Sequence, residues 1–321
     1  MLRESLIQLS RSQTAKSVVT QTPLRAMARR FVPGERVADL VRAARDADDV
    51  GLTVTANYLG ESVSDPASAR AATDVYLEVL DALQRQGIEG NISLKFTQLG
   101  QDIGEGVLAS NVTRVLERAR EHRAFVRFDM EGSSHTQRTL DAFEKLWADG
   151  WHDIGVVLQA YLHRSLGDVA RMNELGARVR LCKGAYAEPA SAALQSPTEV
   201  DRNFIALMRL LLAEGRYPGI ATHDERMIDA TIAFAHREGI DKDRFEFQML
   251  YGVRRDLQRQ LVRDGYRMRV YVPFGEQWYP YLMRRLAERP ANMLFLAGSV
   301  IQESPLGFLW PRGGDRVRDG Y

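Results

Sequence analysis

Eight times between Leu52 and Pro273 the chain changes texture, from a short apolar run rich in β-formers to a longer stretch with helical spacing. The runs are LTVTANYL from Leu52, NISLKF from Asn91, FVRFDM from Phe125, GVVLQAYL from Gly155, RVRLCK from Arg178, GIATH from Gly219, FEFQML from Phe245 and MRVYVP from Met268. Between them lie segments such as ASARAATDVYLEVLDALQRQG, VTRVLERAREH, TLDAFEKLWADG and DRNFIALMRLLLAEG, several ending at a glycine suited to a helix C-terminus. Strand–helix alternation of this kind argues for parallel strands joined by helical crossovers. Eight units point to an α/β (β/α)8 barrel, with an open doubly wound sheet as the alternative. Upstream, ERVADLVRAARDAD places Val37, Leu40, Val41 and Ala44 at helical spacing. The expected layout is a helical arm over residues 1–50, a barrel over 51–300 and a tail over 301–321.

Charge narrows the function classes. Lys plus Arg is 43 and Asp plus Glu is 42, a net charge of +1 with none of the basic excess that nucleic acid demands. Cys182 is the one cysteine, so no intrachain disulfide and no Cys-rich metal site can form, and the six histidines lack metal-ligand spacing. No apolar run approaches the ~20 residues that span a bilayer. The N-terminus MLRESLIQLSRSQTAK lacks a secretory apolar core; an ordinary helix is favoured there over an Arg/Ser-rich transit peptide. No G-x-G-x-x-G follows a strand, and no P-loop, H-E-x-x-H or G-x-S-x-G occurs.

A barrel carries its reactive groups at the C-terminal ends of its strands. Those ends hold Lys95, Asp129, Gln159, Arg180, Lys183, Thr222, His223 and Tyr271. The chain has only five lysines, yet Lys95 and Lys183 both close apolar strands, where a charge is costly unless paired. Each lysine alone could pair with a carboxylate; two of them with Asp129 and Arg180 at one barrel end favour a ligand site. In YPYLMRRLAERPAN, residues Tyr281, Arg284, Arg285 and Glu288 share one helix face. Adjacent guanidiniums suit a carboxylate, although on the helix alone a solvated Arg–Glu face is the simpler reading.

These residues fall in a series: YLGE at Tyr58, LKFTQLG at Leu94, FDME at Phe128, LQAYL at Leu158, RLCKGAY at Arg180, ATHD at Ala221, FEFQMLYG at Phe245 and YVPFGEQWYPYLMRRLAE at Tyr271. The series resembles the monofunctional bacterial proline dehydrogenase family. The resemblance implies a distorted (β/α)8 TIM barrel whose last helix lies over the barrel mouth. It implies FAD as cofactor, L-proline as substrate, hydride transfer from proline C5 to flavin N5, and Δ1-pyrroline-5-carboxylate as product. Arg284 and Arg285 match the pair that binds the substrate carboxylate, with Lys95 a third cation and Glu288 the acid that holds the pair. Tyr271, Tyr281 and Leu250 match side chains packed on the substrate ring. Asp129 and Arg180 match catalytic groups beside substrate and flavin. Met130, Gln159, Arg180, Lys183, Gly184, Ala185, Tyr186, Thr222 and His223 match cofactor-contacting positions, with Lys183 and local N–H groups facing the pyrophosphate. Cys182 stands where relatives usually carry an aliphatic side chain.

The same resemblance implies electron transfer to a membrane quinone, a cytoplasmic location with peripheral contact at the inner face of the membrane, and a pyrroline-5-carboxylate dehydrogenase as partner. The tail SPLGFLWPRGGDRVR suits either lipid contact or a packed cap. Two other readings stay open: a Schiff-base lyase using Lys95 or Lys183, and a non-catalytic barrel that binds an anionic ligand.

Overall fold

The structure is a computed structural model that describes residues 28–60 and 62–288, with side chains as far as Met283. Among the described residues two compact units emerge, Phe31–Glu276 and a second that includes residues 28–30 and 277–288.

The first unit opens with α1 (Val37–Asp48) and then alternates without exception: β1 (Thr53–Tyr58), α2 (Pro66–Arg85), β2 (Asn91–Leu94), α3 (Glu105–Glu121), β3 (Phe125–Phe128), α4 (Ser133–Ala148), β4 (Ile154–Gln159), α5 (Ser165–Leu175), β5 (Arg178–Cys182), α6 (Pro197–Glu214), β6 (Gly219–Ala221), α7 (Glu225–Arg237), β7 (Glu246–Leu250), α8 (Arg255–Arg263) and β8 (Met268–Phe274). Every strand pairs in parallel with its sequence neighbours, and β8 closes on β1, with Thr55 opposite Tyr271. The closed barrel therefore stands and the open sheet falls. In the second unit, α9 (Trp278–Glu288) is the described helix that follows the strands.

Local chemistry sets the element ends. Asp65 caps α2, its carboxylate accepting from the Ser68 backbone N–H at 2.9 Å, and Pro66 occupies the first helical position, where its missing donor costs nothing. The third helix begins earlier than the apolar spacing predicts, because Asn111 is buried and donates to the Leu99 carbonyl at 3.0 Å. A tertiary anchor thus overrides the weak helix propensity of Gly, Ser and Asn in EGVLASN. The sixth strand is only Gly219–Ala221, which leaves Thr222 and His223 in the loop beyond it.

Between the strands and the helices lies the apolar core. Phe96 stacks on Phe128 with centroids 4.3 Å apart, and Phe143 of α4 meets Phe128 edge-on at 6.3 Å. Full burial of such a ring contributes roughly 1.5–3 kcal/mol, so these layers hold the helices to the barrel. The groove outside β8 and β1, which the helix after an eighth strand ordinarily fills, is taken by α1 packed on both strands and on α2.

Candidate active site

Inside the barrel the chemistry reverses. Period 2 sends Asn91 and Ser93, Arg127 and Asp129, Arg178 and Arg180, Glu246 and Gln248, and Arg269 and Tyr271 to the lumen. Contacts between strands that are not neighbours prove this direction. From β5, Arg180 reaches Ser93 on β2, Asp129 at the end of β3 and Gln248 on β7. Two strand glycines make the room. A Cβ on Gly219 would come within 2.4 Å of Gln248 Nε2, and one on Gly155 within 2.8 Å of Arg127 Nη1.

At the C-terminal end of the strands, Asp129 is the hub. Its Oδ1 accepts from Ser93 Oγ at 2.6 Å and from Arg180 Nη1 at 2.9 Å, while Oδ2 accepts the Tyr271 hydroxyl at 2.8 Å. Arg180 also lies 5.2 Å from the Tyr271 ring centroid and donates Nη1 to Ser93 Oγ at 3.0 Å. Burial, and then the Asp129 carboxylate, push the Tyr271 phenol well above its usual value, so it stays a neutral donor. Arg180 and Asp129 are both buried, which makes each dependent on the other. No described residue takes the remaining Arg180 nitrogen, Nη2.

Below this hub the network continues. Gln248 accepts from Arg180 Nε and donates Nε2 to Glu246. Glu246 takes both oxygens to Arg269 Nε, at 2.8 and 3.1 Å, and Arg269 also reaches the Val54 carbonyl and Glu89. Burial alone would raise the Glu246 carboxyl, but Arg269 and Arg127 outweigh it and hold the group below the ordinary value.

The remaining expected residues have separate settings. Lys95 follows Ser93 by two residues and pairs with none of the described residues. Leu250, the register partner of Tyr271, donates its backbone N–H to His223 Nε2 at 2.9 Å, which fixes the proton of a neutral His223 ring on Nδ1. Thr222 Oγ1 accepts from the Asp224 backbone N–H at 3.1 Å. Gln159 donates to the Met130 carbonyl at 3.4 Å, while its buried Oε1 has no partner among the described residues. Gly184, Ala185 and Tyr186 form the loop after β5, with Gly184 at φ +114° against the Tyr161 ring. Tyr281 is buried on α9, in the second unit. Arg284, Arg285 and Glu288 are also on α9, and their side chains lie outside the described residues.

Lys183 resolves one open question. It points its ammonium at two carboxylates, Asp201 and Asp224, the latter at 2.9 Å, and Arg226 binds the same pair. Arg226 and then Lys183 hold Asp224 well below the usual carboxylate range, against the effect of burial. A carboxyl lowered in the folded state adds stability that is complete above its unfolded pKa, near 3.8, and is lost as pH falls through the window below it. The urea midpoint should therefore fall progressively as pH is lowered below about 4, and fall less in Asp224→Asn. Equal acid sensitivity in the two proteins would remove Asp224 from the account.

Sequence reasoning missed Ser93, Gln248, Glu246 and Arg269. The signal was present as alternation, since NISLKF puts Asn91, Ser93 and Lys95 on one face and FEFQML does the same for Glu246 and Gln248.

Comparison with known proteins converges on one family. The description of proline dehydrogenase matches residues 40–298. The proline dehydrogenase of Deinococcus radiodurans is 40% identical over 280 residues, covering 86% of this chain and 90% of that protein. Proline dehydrogenase 2 of Bacillus subtilis strain 168 is 39% identical over 293 residues, covering 91% and 96%. Among solved structures, proline utilization A from Bdellovibrio bacteriovorus inactivated by N-propargylglycine superposes with a TM-score of 0.79 at 27% identity. That match covers 92% of this chain and 36% of the larger one. With a polar barrel mouth built on Asp129, Arg180 and Tyr271, and with close relatives matched over nearly their whole length, this chain belongs to the proline dehydrogenase family.

Proposed function

We propose that the chain oxidises L-proline to Δ1-pyrroline-5-carboxylate with FAD as its cofactor and a quinone as electron acceptor. The observation that carries this reading is the hydrogen-bonded Asp129–Arg180–Tyr271 cluster at the strand ends, in a chain of this family.

The residues present fit the cofactor. Gln159 Oε1 is a buried acceptor with no partner among the described residues, so it suits a ligand N–H. Gly184 keeps a Cβ out of the loop after β5, at the strand end where a ligand approaches. Arg180 offers its Nη2 donor. Met130, Lys183, Ala185, Tyr186, Thr222 and His223 complete the proposed contacts, with Lys183 and local backbone N–H groups proposed for the pyrophosphate. Bound FAD supplies the hydride acceptor.

The chain's own groups then bind and orient. Arg284, Arg285 and Lys95 hold the substrate carboxylate, Glu288 steadies the arginines, and Tyr271, Tyr281 and Leu250 flank the ring. Asp129 has both oxygens engaged, so it aligns Arg180 and Tyr271 and is not a free base. Proline must lose its amine proton before it can release a hydride, so turnover should rise with pH.

No described helix is long and apolar enough to cross a membrane. A quinone acceptor calls for peripheral contact with the membrane, and a cytoplasmic location is part of the same proposal. A dehydrogenase for the product is the partner that the reaction calls for, and relatives named bifunctional protein PutA are consistent with such a link. The lyase alternative loses Lys183, whose donors are directed at Asp201 and Asp224.

The test is a visible spectrum. Protein supplied with FAD should turn yellow and bleach on addition of proline. Arg284→Met and Arg285→Met should keep the flavin while the proline KM rises about 30- to 1000-fold, as expected for loss of a charged pair worth ~2–4 kcal/mol. A colourless protein ends the reading, and unchanged KM in both variants ends the clamp.

A further inference from the structure

We infer that Gln248 is a positioning residue for the reaction. It links the ion pair on the floor of the barrel to the one at its mouth and so fixes the plane of the Arg180 guanidinium. The inference rests on the reading above, in which Arg180 faces the substrate and cofactor.

The chemistry of the link leaves little choice of residue. Arg180 Nε can only donate, and the ionised Glu246 carboxylate can only accept. A side chain between them must accept on one end and donate on the other, which an amide does. The orientation of the Gln248 amide is thereby fixed: Oε1 towards Arg180, Nε2 towards Glu246. Glu246 is in turn anchored by two hydrogen bonds from Arg269 Nε, and Arg269 by the Val54 carbonyl on the adjacent strand β1 and by Glu89 just before β2. The floor is therefore rigid, and Gln248 transmits that rigidity one layer upwards.

At the mouth, Arg180 Nη1 is shared between Asp129 and Ser93. Those contacts lie on one edge of the guanidinium and would allow it to pivot about Nη1. The Gln248 contact at Nε supplies the second point that stops the pivot. It also aims the remaining nitrogen, Nη2, which no described residue engages. Gly219 belongs to the same device, because a side chain there would collide with Gln248 Nε2. The side-chain hydrogen bonds of Gln248 run to Arg180 and Glu246, so its effect on the reaction passes through Arg180.

The experiment is a double-mutant cycle on the full chain loaded with FAD, comparing wild type, Gln248→Met, Arg180→Met and the pair. Methionine keeps the volume of glutamine and removes both hydrogen bonds. Gln248→Met should lower kcat for proline about tenfold, the scale of one hydrogen bond to a charged group, with KM changed less than about threefold. It should also shift the visible absorption maximum of the bound flavin in the direction that Arg180→Met shifts it. The double variant should be no slower than Arg180→Met, because a residue acting only through Arg180 has nothing left to position. Gln248→Glu restores the acceptor to Arg180 and should recover part of the spectral shift, despite facing Glu246.

Additive losses in kcat, or an unshifted flavin spectrum in Gln248→Met, would overturn the assignment. Should Gln248→Met fail to fold, Gly219→Ala displaces the same amide and must show the same spectral shift. A wild-type protein that takes up FAD and oxidises proline while the cycle is additive refutes the role of Gln248 alone. A wild-type protein that takes up no FAD refutes that role together with the function it rests on.

Discussion

Asp129→Ala is expected to cut kcat for proline by about 100- to 1000-fold and to destabilise the barrel by about 3–5 kcal/mol. Both effects come from one geometry. The carboxylate is the common acceptor for Ser93, Arg180 and Tyr271. Removing it leaves the Arg180 guanidinium buried without its counter-ion, and only the uncharged Ser93 and Gln248 remain to it. It also leaves the Tyr271 hydroxyl without its acceptor, in a setting where the phenol is buried and neutral.

Asp129→Asn separates charge from shape. Its one oxygen can still face Ser93 and Arg180, and the Tyr271 hydroxyl can rotate to accept from the amide. The asparagine variant should therefore keep most of the stability and lose a charge-dependent factor of about ten in kcat rather than the whole effect. Urea unfolding, flavin content and initial rates with an acceptor dye check all three numbers. An alanine variant with wild-type kcat and an intact flavin would show that the hub does not serve the reaction.

The two halves of this architecture were unequally legible. All eight strands could be read because strand runs and helical spacing alternate, and because the outward faces carry residues such as Ile92, Val126, Phe128 and Phe247. Asp129 and Arg180 could be picked out as charges on apolar strands. Their partnership could not, since it joins β3 to β5 across the lumen with β4 between them. The Lys183 cluster was hidden for the same reason, as Asp201 is on α6 and Asp224 caps α7. Strand glycines were also silent. Gly155 and Gly219 look like weak strand residues until the side chains of Arg127 and Gln248 are seen filling the space. Barrel closure brings together residues that no local pattern relates, so the network behind the hub becomes visible only in three dimensions.

Gly184→Ala is the second substitution with a large expected effect, and it acts through the backbone. Gly184 sits at φ +114°, a conformation that a Cβ disfavours by itself. The added Cβ would also lie 2.3 Å from Tyr161 Cδ1 and 2.4 Å from Cε1. Neither side can yield easily. The Tyr161 N–H donates to the Lys183 carbonyl at 2.9 Å, and its own carbonyl accepts from the Leu194 N–H at 2.8 Å. The loop is pinned again where the Glu188 carboxylate accepts from Ser133 at the start of α4. Strained backbone of this kind costs about 1–3 kcal/mol, and overpacking a further ~1–3 kcal/mol. Gly184→Ala should lose about 3 kcal/mol of stability, and the shifted loop should leave the purified protein with a lowered ratio of flavin to protein absorbance. Combining it with Tyr161→Leu opens the space that the methyl group needs but leaves φ unchanged. That double variant should recover part of the flavin content, which isolates the steric share from the conformational one. Full flavin content and unchanged stability in Gly184→Ala alone would mean that the loop after β5 has a freedom that these three anchors do not allow.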